Sequence, residues 1–165
     1  MQTGNAYIID LNALQTDVCE REYDLDDAFF AREESKDLLG GDCKAKVKLQ
    51  RRGGSFLLEM QVSGVVRCVC DRCLDEVTIP MDCEETLTVK LGRAVDTDED
   101  IEWVDPADGE LDLAWLLYEL VEINLPLVIR HQEGECNPQM EELLRSHLCS
   151  LPEDETDSLG SFPEA

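Results

Sequence analysis

Cys43-Lys44-Ala45-Lys46-Val47-Lys48-Leu49-Gln50-Arg51-Arg52-Gly53-Gly54-Ser55-Phe56-Leu57-Leu58-Glu59-Met60-Gln61-Val62 alternates small or apolar residues with polar ones on both sides of a glycine pair. Successive side chains of a strand point to opposite faces, so Cys43, Ala45, Val47 and Leu49 share one face and Lys44, Lys46 and Lys48 the other. Phe56, Leu58, Met60 and Val62 resume the alternation beyond Gly53-Gly54, so residues 43–64 read as a hairpin with one buried and one wet face.

Downstream, the second hairpin strand runs on from Val65 into Cys68-Val69-Cys70, turns at Cys70-Asp71-Arg72-Cys73, and returns as Glu76-Val77-Thr78-Ile79. A further strand is expected over Glu84 to Leu91, where Leu87, Val89 and Leu91 alternate with Thr86, Thr88 and Lys90. Ile101 and Trp103 mark a short strand or a hydrophobic anchor within an acidic run, Asp96 to Asp112. That run lacks the ligand spacing and central glycine of an EF-hand loop, and reads as exposed loop. Upstream, Tyr7 to Leu11 reads as a short strand and Ala28-Phe29-Phe30-Ala31 as a short helix. The rest of residues 1–42 is mixed and acidic, and is expected only to cover the sheet.

The clearest helix begins after Gly109. Asp112 is placed to cap its free amides, Leu113, Leu116, Leu117 and Leu120 mark one face, Tyr118, Glu119 and Glu122 fall on others, and Pro126 stops it. A last short helix is expected over Pro138 to Leu148. The expected class is therefore α+β: an antiparallel sheet of about five or six strands, with barrel-like closure left open, packed against one main amphipathic helix. Residues 1–150 form one domain in this reading, and residues 151–165, rich in acids and without a base, a disordered tail.

Cys70 and Cys73 are answered far down the chain by His131 and Cys136 in His131-Gln132-Glu133-Gly134-Glu135-Cys136. Three thiols and an imidazole are donors of the kind that bind Zn2+ tetrahedrally, so they are candidate ligands for one structural zinc ion. Arg72, inside the turn, is expected to favour the thiolate forms. Cys68 and Cys149 compete for the fourth ligand position, although Cys68 also suits plain packing. The alternative of a thiol redox protein needs a helix directly after the cysteine pair, and a returning strand is expected there instead.

Composition narrows the setting. The chain has eight cysteines, but 165 residues can bury roughly two thirds of the unfolded surface without staples, so reduced thiols are expected rather than a disulfide framework. It has no apolar run long enough to span a bilayer and no charged-then-apolar leader after Met1, so the expectation is a cytoplasmic protein that makes no membrane contact. Thirty-eight Asp and Glu against 14 Lys and Arg give a formal charge of −24, which repels a broad polyphosphate surface and favours basic protein partners. Lys44, Lys46, Lys48, Arg51 and Arg52 are the expected local contact with RNA or partner, unless the lysines merely guard a sheet edge. Phosphate-cradling glycine loops, serine elbows and His-Glu zincin motifs are all missing, so no enzyme activity and no small-molecule substrate are expected.

The cysteine pair in Cys70-Asp71-Arg72-Cys73-Leu74, the acidic linker, the helix Asp112 to Glu119, the Leu125-Pro126-Leu127 step and the closing His131 to Cys136 together resemble the YceD family. The resemblance covers roughly residues 40–140. It implies a role in accumulating large-subunit ribosomal RNA, with a basic ribosomal protein or a large-subunit assembly precursor as partner. It also points to Cys70, Cys73 and Cys136. Many members carry a second cysteine pair where this chain has His131 and Cys136. A zinc-stapled interaction module unrelated to ribosomes is the competing reading.

Overall fold

The computed structural model describes residues 6–33, 35, 37–94 and 100–148. Its frame is a five-stranded sheet in the order β2-β3-β4-β5-β6: β2 (Val18–Leu25), β3 (Leu38–Arg52), β4 (Ser55–Val69), β5 (Glu76–Leu91) and β6 (Ile101–Val104). β1 (Ile8–Asp10) pairs with β7 (Glu110–Asp112) in a separate two-stranded ladder. The helices are α1 (Asp27–Phe30), α2 (Leu113–Ile123) and α3 (Pro138–His147).

The hairpin is as its alternation dictates: Arg52 faces Ser55 across Gly53-Gly54, and the pairing runs on to Gly40 opposite Arg67. Gly53 takes φ 60°, where a side chain would be strained. Cys43, Ala45, Val47, Leu49, Leu58, Met60 and Val62 are all buried, so the predicted apolar face is the core face. At Gly41 a β-carbon would come within 2.9 Å of the Phe30 ring and 2.8 Å of the Val65 carbonyl, so only glycine lets α1 seat against this hairpin.

Four expectations change. The sheet stays open rather than closing into a barrel, with β2 and β6 at its edges. It is not wholly antiparallel, because β6 runs parallel to β5 with Thr88 opposite Ile101. The acidic segment before α1 does more than cover the sheet: Val18–Leu25 is a full strand paired with β3. It therefore takes the edge that the lysines were expected to guard, and β3 becomes an interior strand. The two strands expected at 76–79 and 84–91 are one continuous strand, β5.

The three helices form where helices were expected, and α2 carries most of the helical burial. The Asp112 carboxylate caps α2 by accepting from the Ala114 amide at 2.9 Å, and Leu113, Leu116, Leu117, Leu120 and Val121 are buried. Tyr118, expected on an outer face, is buried as well, so the apolar surface wraps well beyond one stripe. α2 packs on β4 and β5, and its entry is held by the β1–β7 ladder, where the Leu113 amide donates to the Tyr7 carbonyl. This places the segment after α2 beside the turn between β4 and β5. The expected tail, 151–165, and Cys149 lie outside the described residues.

Candidate metal centre

β4 ends at Val69, and the chain turns through Cys70-Asp71-Arg72-Cys73 before β5 begins at Glu76. The turn is closed by the Cys70 amide donating to the Asp75 carbonyl at 2.8 Å and the Leu74 amide donating to the Cys70 carbonyl at 2.9 Å. Leu74 adopts φ 63°, a left-handed conformation that a branched side chain takes at a cost. The segment after α2 is laced to this turn from both sides: the Asp71 amide donates to the Ile129 carbonyl at 2.7 Å, and the Ile129 amide to the Asp71 carboxylate at 2.7 Å.

That lacing brings Cys70, Cys73, His131 and Cys136 together, with all four donor atoms within 4.8 Å of one another. Cys70 Sγ lies 3.9 Å from Cys136 Sγ, Cys73 Sγ lies 3.3 Å from His131 Nδ1, and Cys136 Sγ lies 3.9 Å from His131 Nδ1. Zinc bond lengths at tetrahedral angles put sulfurs about 3.8 Å apart and sulfur and nitrogen about 3.6 Å apart. These three separations are close to the edges of a metal-binding tetrahedron.

The histidine is oriented for that task. Its Nε2 lies 2.9 Å from the Glu76 carbonyl, which accepts only if Nε2 carries the proton. Nδ1, the nitrogen facing the sulfurs, is then left with a free lone pair, the outer-shell arrangement that sets a metal-bound imidazole.

The electrostatics of the thiols divide between Cys70 and Cys136. Burial works against the Cys70 thiolate, but backbone amides of Cys73, His131 and Arg72, with the Cys73 thiol, outweigh it and lower Cys70 to about 6. Hydrogen bonding to Cys70 raises His131 above its ordinary value. Burial, together with the neighbouring Cys73 and Cys70, pushes Cys136 up to about 11. The Arg72 guanidinium, expected to stabilise the thiolates, instead pairs with Glu141 of α3 at 3.3 Å, and only its backbone serves Cys70. The Asn137 side chain, which caps α3, donates to the Asp75 carboxylate at 3.0 Å, a second tie between α3 and the turn.

Cys68 is no ligand. It is buried in the core, and burial pushes its thiol up to about 11. The seven described cysteines are all free thiols.

The five cations lie along β3, toward the opposite end of the hairpin from the cysteine turn. Lys44 meets Asp24 at 3.1 Å, Lys46 meets Glu22 at 3.9 Å, and Lys48 meets both Glu20 and Glu59 at 4.0 Å. Arg51 donates to the Leu14 carbonyl and lies over the Phe56 ring, while Arg52 donates to Gln50. The carboxylates of β2, which the sequence reading had left unassigned, thus neutralise the lysine stripe. Among the described residues no helix is long and apolar enough to cross a membrane.

Searches among curated proteins and among solved structures returned no match. The family described as large ribosomal RNA subunit accumulation protein YceD matches residues 58–158. The match starts within β4, later than the expected residue 40, and takes in all four clustered donors, β5, α2 and α3. With more than half of its length matched, the chain belongs to the YceD family.

Proposed function

We propose that this chain is a non-enzymatic ribosome biogenesis factor, supporting the synthesis, processing or stability of large-subunit ribosomal RNA through protein partners. Membership of a family described by large-subunit ribosomal RNA accumulation is the observation that carries this reading. Cys70, Cys73, His131 and Cys136 would hold one structural zinc ion, which fits the donor set and the oriented imidazole. Four protein donors leave a tetrahedral zinc without an open position for substrate, which supports a structural role. In that role the site clamps the β4–β5 turn to the segment that follows α2.

The net charge of −24 favours a basic ribosomal protein, or a protein of a large-subunit assembly precursor, as the partner. Any direct RNA contact through Lys44, Lys46, Lys48, Arg51 and Arg52 would be limited, because the lysines already face carboxylates.

A thiol redox role is the second reading, favoured by the lowered Cys70 thiol. The burial of Cys70 and Cys73, at 0% and 2% exposure, opposes it, since a redox thiol must meet its partner. The deciding experiment is the ratio of large- to small-subunit ribosomal RNA, with precursor ends mapped, in cells depleted of the protein. A selective fall in the large-subunit species is expected, and an unchanged ratio would sink the proposal.

A further inference from the structure

The outer face of β2–β5 takes no part in the core or the metal cluster. Cross-strand register stacks Glu20, Lys48 and Glu59 in one row and Glu22, Lys46, Gln61 and Glu84 in the next. Between the two rows runs a groove of about 830 Å3. Val47 and Met60 border it with backbone, because their side chains turn into the core and are 2% exposed. We infer that this groove docks an extended basic segment of a protein partner; the ribosomal identity of that partner rests on the reading above, and the groove does not.

Charge is the first argument. Lys46 and Lys48 face the acids of β2 at 3.9 and 4.0 Å. Glu59 has only a share of Lys48, at 4.0 Å, and Glu84 has no ion pair among the described residues. The groove is therefore anionic at its β4–β5 end, and the loose, exposed pairs at its β2–β3 end exchange readily for an incoming cation.

Shape is the second. Four strands about 4.8 Å apart make a floor roughly 14 Å wide, the span of about four residues of extended peptide. Because the floor amides are already paired within the sheet, recognition goes through side chains, with Lys or Arg of the partner reaching Glu59 and Glu84. A nucleic acid strand would set its phosphates against those same two carboxylates.

The test measures binding of a fluorescent peptide of alternating Lys and Thr, about ten residues long, to the full chain at roughly 0.15 M salt. Glu59→Lys with Glu84→Lys is expected to weaken binding at least about 10-fold, equivalent to about 1.4 kcal/mol. Glu133→Lys with Glu142→Lys makes the same charge change on an exposed loop and α3, and is expected to alter binding by less than about 3-fold. Thermal melts of both variants establish that they fold. Equal losses in the two double variants would reduce the effect to net charge and overturn the groove, as would no loss in the first. Preferential binding of single-stranded RNA, abolished by Lys46→Glu with Lys48→Glu, would overturn it in favour of a nucleic acid surface. Ribosomal RNA ratios that stay normal on depletion would remove the biogenesis reading and leave the peptide result standing.

Discussion

Cys68 and Cys70 stand two residues apart at the end of β4 and are both fully buried, yet their thiols move in opposite directions. Burial pushes Cys68 up to about 11; at Cys70 burial is outweighed by the amides of Cys73, His131 and Arg72, and the thiol falls to about 6. The difference is where regular backbone pairing stops. Cys68 pairs with Val77 inside the ladder, where neighbouring amides are already committed to carbonyls. Cys70 follows the last paired residue, and the turn leaves amides free to aim at its sulfur. Cys43 sides with Cys68: it lies within β3, and burial pushes it up to about 11. A cysteine in a ladder is a small core residue; Cys70, just past the ladder, joins the cluster that could hold a metal ion.

The sharpest way to break this contrast is to remove donors from the turn. Cys73→Ser is expected to abolish metal retention and to lower stability by several kcal/mol, on the order expected when metal binding doubles as folding energy. His131→Ala should weaken zinc binding by more than about 100-fold, beyond what loss of an outer-shell partner alone produces. Melting curves with and without chelator read the stability effect, and competition with a zinc indicator reads the affinity.

Acid is the next lever. Zinc needs each thiol and the imidazole without its proton, and burial together with Cys73 and Cys70 holds the metal-free Cys136 thiol up at about 11. The metal-free and unfolded forms therefore carry more protons than the loaded form, so metal-dependent stability rises with pH and is lost as pH falls. Zinc affinity should drop steadily from about pH 8 to about pH 6, with protons released on binding throughout that window. A pH-independent affinity would contradict thiolate ligation.

Cys68→Ala tests the other side of the comparison. It deletes one sulfur from the core and is expected to cost about 1–2 kcal/mol while leaving metal content unchanged. The smallest expected effect concerns the turn itself. Leu74 is 66% exposed and holds φ 63°, so Leu74→Gly relieves backbone strain while losing little packing. A gain of up to about 1 kcal/mol in denaturant unfolding, with metal still bound, is expected.

The same contrast explains what was legible in the sequence. Period-two alternation exposed the long hairpin, and Asp112 announced the start of α2, because each is a local signal. That Cys70, Cys73, His131 and Cys136 come together was also legible, because donors of one chemistry stood in two short groups on either side of α2. β2 was missed although Cys19, Tyr23 and Leu25 alternate with Glu20, Glu22 and Asp24; Arg21 on the inner face and the density of charge hid the period. The partners of Lys44, Lys46 and Lys48 went unseen with it, because cross-strand pairing is fixed only once the edge strand is known. The parallel run of β6 beside β5 and the salt bridge from Arg72 to Glu141 are long-range outcomes with no local signature.

The most direct test of the account is the zinc content of freshly purified, reduced protein, compared between the natural chain, Cys68→Ser and Cys70→Ser. About one zinc per chain in the first two and essentially none in the third is the expected result. Metal absent from the natural chain, or lost equally from both variants, would contradict the assignment of the turn cysteines as ligands and the ladder cysteine as core.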